Sequence, residues 1–111
     1  MSQLYTGNLR KADINISSSG DNTIIAAPTT GYIVIDFITV LPTTAVSVQL
    51  KDGATAYGGP LPLDTKQPFT FENTLHSDQG IITLSPGNGF VINLGAAVQV
   101  GGLVRYRVIG Q

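Results

Sequence analysis

His76 is the only histidine in the chain, and so the only side chain whose ordinary titration range suits general-base chemistry near neutral pH. With Asp78 beside it, it could take the proton of a nucleophile in a nucleophile–His–acid arrangement. Its surroundings, Asn73-Thr74-Leu75-His76-Ser77-Asp78, are simply polar, and nothing marks a serine to serve with it. It therefore reads first as a solvated loop histidine. The seven Asp and Glu are scattered, which leaves hydrolysis by paired carboxylates unsupported. One His and no Cys cannot build a zinc site, and Asp21-Asn22 and Asp52-Gly53 lack the ligand spacing of a calcium loop. Both pairs are turn chemistry. Gly58-Gly59 and Gly87-Asn88-Gly89 precede no helix whose amino end could hold a phosphate. The expectation is a protein with no catalytic set and no cofactor.

Other side chains suggest contact rather than catalysis. Arg105 and Arg107 alternate with Val104, Tyr106 and Val108, so both arginines face outward on one strand and could meet carboxylates of a neighbour. A plain solvated strand face competes with that reading. Tyr5, Tyr32, Tyr57 and Tyr106 are the aromatics available to a sugar-binding face, although Tyr32 and Tyr106 read as structural.

The elements that carry these residues are strands. In Ala45-Val-Ser-Val-Gln-Leu-Lys51, Val46, Val48 and Leu50 share one side, while Ser47, Gln49 and Lys51 share the other. Ile14 and Ile16 alternate in the same way within Ala12 to Ile16, as do Phe90, Ile92 and Leu94 within Phe90 to Leu94. Thr23 to Ala27, Phe69 to Glu72, Ile81 to Leu84 and Leu103 to Ile109 read as further strands, and Ala54 to Tyr57 as a weak one. Tyr32 to Leu41 is apolar on both faces, which predicts a central or covered strand. Ser17 to Asn22 reads as a turn centred on Gly20-Asp21, and Asp52-Gly53 as a tight hairpin turn. Pro60 and Pro62 restrict Gly58 to Leu63 to an edge or a crossing loop. Eight or nine short strands spaced about ten residues apart predict an all-β, antiparallel β-sandwich or jelly roll. Residues 1–10 read as an amino-terminal arm or tail, and residues 11–111 as one domain.

Only 12% of residues are charged, about half the usual share. That leaves neutral surface suited to lying against other protein. A net charge of −1 with six Lys and Arg lacks the electrostatic footprint for nucleic acid. No run is long and apolar enough to suggest a membrane span, and Met1 to Arg10 lacks the basic start and apolar run of a signal peptide. A product made in a cytoplasm is expected.

The run Ile16-Ser-Ser-Ser-Gly-Asp-Asn-Thr-Ile-Ile-Ala-Ala27 is followed by the long apolar strand after Gly31. Val48-Gln-Leu-Lys-Asp-Gly-Ala-Thr-Ala56 then precedes Gly59-Pro60-Leu61, and the chain ends with Gly89-Phe-Val-Ile-Asn-Leu-Gly-Ala-Ala-Val-Gln-Val-Gly-Gly-Leu-Val-Arg-Tyr106. Together these resemble small virion proteins of tailed bacteriophages, some of which look like capsid cement or decoration proteins. The resemblance covers roughly residues 12–109 and rests on pattern rather than on a catalytic motif. It implies a β-sandwich that trimerises on the outer capsid surface and clamps neighbouring major capsid subunits. Its partners would be the major capsid protein and itself, with no nucleic acid and no membrane. The interface candidates are Leu4, Tyr5, Leu9 and Arg10 from the arm, with Arg105 and Arg107 from the last strand. A tail or head-fibre component, or a glycan-binding module, is the alternative; a small hydrolase ranks below both.

Overall fold

The computed structural model describes residues 9–74 and 79–110. These form ten strands: β1 (Arg10–Ile16), β2 (Gly20–Ile25), β3 (Tyr32–Pro42), β4 (Val46–Asp52) and β5 (Thr55–Ala56), then β6 (Leu61–Leu63), β7 (Phe69–Glu72), β8 (Ile82–Thr83), β9 (Phe90–Leu94) and β10 (Val100–Ile109). They assemble into two antiparallel five-stranded sheets. The first runs β1-β10-β3-β7, with β8 pairing on β3; the second runs β2-β9-β4-β5, with β6 pairing on β4.

A single core lies between the sheets. Ile14, Ile33, Ile35, Ile38, Val40, Ile82, Val100 and Val104 come from the first sheet. Ile25, Val46, Val48, Leu50, Leu63, Phe90, Ile92 and Leu94 come from the second. This is the sandwich-like, all-β arrangement that the alternation predicts. Along β4, Val46, Val48 and Leu50 are buried while Ser47, Gln49 and Lys51 are partly exposed. Each such burial is worth about 1.5–3 kcal/mol, opposed by the entropy of ordering the chain.

β3 is central, as its apolar content predicts, but its two apolar faces have a more specific cause. Across β10 the register runs Ile38 to Val104 and Phe37 to Arg105, then jumps to Ile35 opposite Tyr106. Asp36 is the extra residue of a bulge, and an extra residue reverses which side chains point inward. Ile33 and Ile35 before it, and Ile38 and Val40 after it, therefore all reach the same core.

Some boundaries differ from the sequence reading. Gly20 and Asp21 lie inside β2, opposite Leu94 and Asn93, so the turn precedes them. Gly20 meets the bend with φ +86°, and the Asp21 carboxylate is held by neighbouring strands rather than by its own turn. Asp52 ends β4 and pairs with Thr55, which makes Gly53-Ala54 the two-residue loop. Of those two only Gly53 has a positive φ, the pattern of a type II′ turn. Leu61-Pro62-Leu63 does form a strand, at the sheet edge where proline is tolerated.

Candidate functional site

The residues singled out from the sequence do not converge. Leu4, Tyr5, His76 and Asp78 lie outside the described residues. Leu9 is exposed. Arg10 opens β1 opposite Tyr106 and belongs to the sheet rather than to an arm, and its carbonyl accepts a hydrogen bond from Arg105 Nε at 3.3 Å. Arg105 is partly exposed.

Arg107 corrects the expectation outright. It does share a face with Arg105, but its side chain is fully buried. Its Nε donates to Asp36 Oδ2 at 2.6 Å and its Nη2 to Asp36 Oδ1 at 2.9 Å, a bidentate buried ion pair. Asn73, after β7, and Gly80, before β8, pack against this part of the face. Asn73 donates from its backbone N–H to the Asp36 carbonyl at 2.8 Å and from Nδ2 to Oδ1 at 3.2 Å. Gly80 sits so close that a Cβ there would lie 2.4 Å from the Ile35 carbonyl oxygen and 3.1 Å from Asp36 Oδ1. Arg107 is thus a structural residue, unavailable to a partner. The signal for it was Asp36, a carboxylate in the most apolar strand of the chain, which needs a cation if it is buried.

The feature with binding character is a groove of about 200 Å³ along one open side of the sandwich. There β7 and β8 border the first sheet, and β5 and β6 border the second. Leu50, Leu61, Phe69 and Ile82 form its apolar lining, with the backbone of Gly58 and Gly59 beside them. Tyr57 and Phe71 stand at its rim, 41% and 47% exposed, where an isolated domain would gain by covering them. The Phe69 and Phe71 rings meet edge to face at 6.5 Å, which fixes both planes. Gln49 Nε2 donates to the Gly58 carbonyl at 2.6 Å and ties the loop down. Such a groove takes an apolar or aromatic side chain, and its described lining residues include no acid–base pair. Tyr57 was among the aromatics named from sequence, whereas Phe71 was read only as a strand member.

A second depression, about 500 Å³, lies where Gly101 and Gly102 leave β10 without side chains, bordered by Leu41, Thr43, Pro68 and Gln99. Leu41 is 48% exposed there. Around the buried Val91, the outer face of the second sheet carries polar side chains bonded to one another. Asp21 Oδ1 accepts from Asn93 Nδ2 at 2.7 Å, and its two oxygens accept from Lys51 Nζ at 3.1 and 3.0 Å. Among the described residues, no group of three or more His, Asp or Glu side chains is gathered for a metal ion.

The Asn93 hydrogen bond, followed by the bonds from Lys51, holds the Asp21 carboxyl below its ordinary 3.8. Its folded value lies below its unfolded one, so the stabilisation is complete above 3.8 and is lost as the pH falls through the lower folded value. Urea unfolding of wild type and Asp21→Asn at a series of acid pH values should show curves that converge at the acid end. A gap that persists there unchanged would assign the effect to something other than this carboxylate.

Compared with protein-family models, with curated proteins and with solved structures, the chain has no match.

Proposed function

We propose that this chain is a structural virion protein of a tailed bacteriophage, a capsid cement or decoration subunit. In this reading it is made in the host cytoplasm and binds the outer shell as a homotrimer, stabilising contacts between major capsid subunits. The observation that carries the reading is the apolar groove with Tyr57 and Phe71 at its rim, on a body whose surface has few charges. Exposed aromatics over a preformed apolar lining are the composition of an interface anchor. The resemblance of residues 12–109 to phage virion proteins supplies the shell as what is covered. The strand order supports a jelly roll: successive strands β1 to β4 alternate between the sheets, and β9 and β10 return beside β2 and β1. A closed three-fold ring requires two different patches of each subunit to meet, which the sides of such a body can supply.

The test is electron cryomicroscopy of the virion with quantitative binding to shells stripped of this protein. Density at three-fold positions of the capsid is expected. Changing Tyr57 and Phe71 together to Asp should reduce shell occupancy at least tenfold, since buried aromatic anchors each contribute about 2 kcal/mol or more. The variant should stay folded, with an unfolding midpoint lowered by loss of the Phe69–Phe71 ring contact, worth about 0.5–1.5 kcal/mol. Density confined to tail or fibre would sink the cement reading, and capture on a glycan array would favour the alternative.

A further inference from the structure

We propose that the free edge of β1 is a self-complementary interface, through which two copies of this chain join their first sheets across a two-fold axis. This goes beyond the proposed function and does not depend on it.

Edge strands are normally kept short, broken by Pro or bulges, or charged, so that they do not template pairing. The β7–β8 edge of the first sheet follows that rule, being split into pieces of four and two residues. The β1 edge carries charges of both signs but is neither short nor broken. It runs seven residues, Arg-Lys-Ala-Asp-Ile-Asn-Ile, without Pro, Gly or a register shift, and all seven pair with β10. Among the described residues no strand pairs with its other side. From Lys11 to Ile16 a row of main-chain donors and acceptors is therefore offered to an added strand.

The side chains select the occupant. Lys11 and Asp13 point to the outer face, one position either side of Ala12, while Ala12 and Ile14 point to the core. In an antiparallel pair centred on Ala12, Lys11 faces Asp13 of the second copy, and Asp13 faces its Lys11. Ala12 faces Ala12, the smallest side chain at the point of closest approach, and Leu9 faces Asn15. Centring the pair on Lys11 or on Asp13 instead places like charges directly opposite, which is unfavourable. Centring it between two residues turns the second body over and sets outward-facing positions against inward-facing ones. The register centred on Ala12 keeps both cores on the same side and sets each Lys11 against an Asp13, with Arg10 opposite Ile14. Lys11 and Asp13 are only loosely committed within one copy: they pair at 3.2 Å but are 59% and 73% exposed, a geometry of little worth that is easily exchanged for pairing across the axis.

Sedimentation velocity on the full chain from about 1 µM to 1 mM, the range for a small interface, tests this with three variants. Wild type should double its mass, from one copy to two or from one ring to two, with slowed hydrogen exchange along β1. K11D and D13K should each weaken the association about tenfold or more, because every cross-axis pair becomes like-charged. An equimolar mixture of K11D with D13K should restore it, as should the double variant K11D/D13K, since both recover opposite charges across the axis. Circular dichroism should show all variants folded, both positions being exposed. A wild type that never doubles, or doubling that K11D leaves untouched, overturns the proposal. Loss in the single variants without recovery on mixing overturns it too.

Discussion

Replacing Arg107 with Met is expected to lower the free energy of unfolding by about 3–5 kcal/mol, the usual consequence of removing one member of a buried ion pair. Asp36 would stay behind, buried, having lost both donors of the guanidinium fork. A domain of ordinary stability has only about 5–15 kcal/mol in total, so the variant should sit near the threshold of folding. The loss measures the stranded carboxylate rather than the worth of the pair. Changing Asp36 to Leu in the same chain should therefore recover much of it, because apolar side chains of similar size often replace buried pairs without loss. Urea unfolding at 25 °C of wild type, Arg107→Met and the double variant gives the three free energies. A single-variant loss below about 1 kcal/mol would mean that water reaches Asp36 and that the pair is not sealed.

The same pair marks the limit of what the sequence disclosed. β4 was legible because it is a run of strict alternation against one core, and its buried residues are those the pattern names; in β9 the pattern names Phe90, Ile92 and Leu94, while Val91 is buried as well from the other face. β3 was legible as a strand but not in phase: a bulge adds one residue, and neither hydropathy nor spacing distinguishes an added residue from a second apolar face. Arg107 was assigned to its proper face of β10, but whether that face meets water depends on Asn73 and Gly80, which arrive from another part of the chain. The groove was hidden for a related reason. Phe71 has the inward parity of Phe69, yet it lies at a sheet edge where it stays half exposed among the described residues. Tyr57 comes to the same place through a hairpin whose path is set by the Gly53 turn and by Gln49 holding Gly58. Periodicity tells which way a side chain points; it does not tell which edges stay open.

Gly31→Ala should cost about 2–4 kcal/mol, and Gly20→Ala about 1 kcal/mol, although the two glycines have nearly the same backbone angle. Gly20 has φ +86° and Gly31 φ +81°, so an Ala at either site meets the same left-handed penalty. The difference is space. Around a Cβ at position 20 nothing lies within 4 Å, whereas at position 31 it would lie 2.0 Å from the carbonyl oxygen of Ile109 and 3.0 Å from the carbonyl carbon of Gly110. Both obstacles are backbone, so no rotamer change relieves them and the end of β10 must move. Ile109 is opposite Tyr32 at the start of β3, and Arg107 stands two residues away on the same strand. Displacement there strains the ladder that presents Arg107 to Asp36. Urea unfolding of the two variants isolates the close approach from the backbone term, because the subtraction removes what they share. Hydrogen exchange should report faster opening at Tyr32 and Ile109 in Gly31→Ala alone. Equal losses in both variants would show that β10 yields freely at its end, and the tight junction between Gly31 and Ile109 would then contribute nothing to holding the central strands in register.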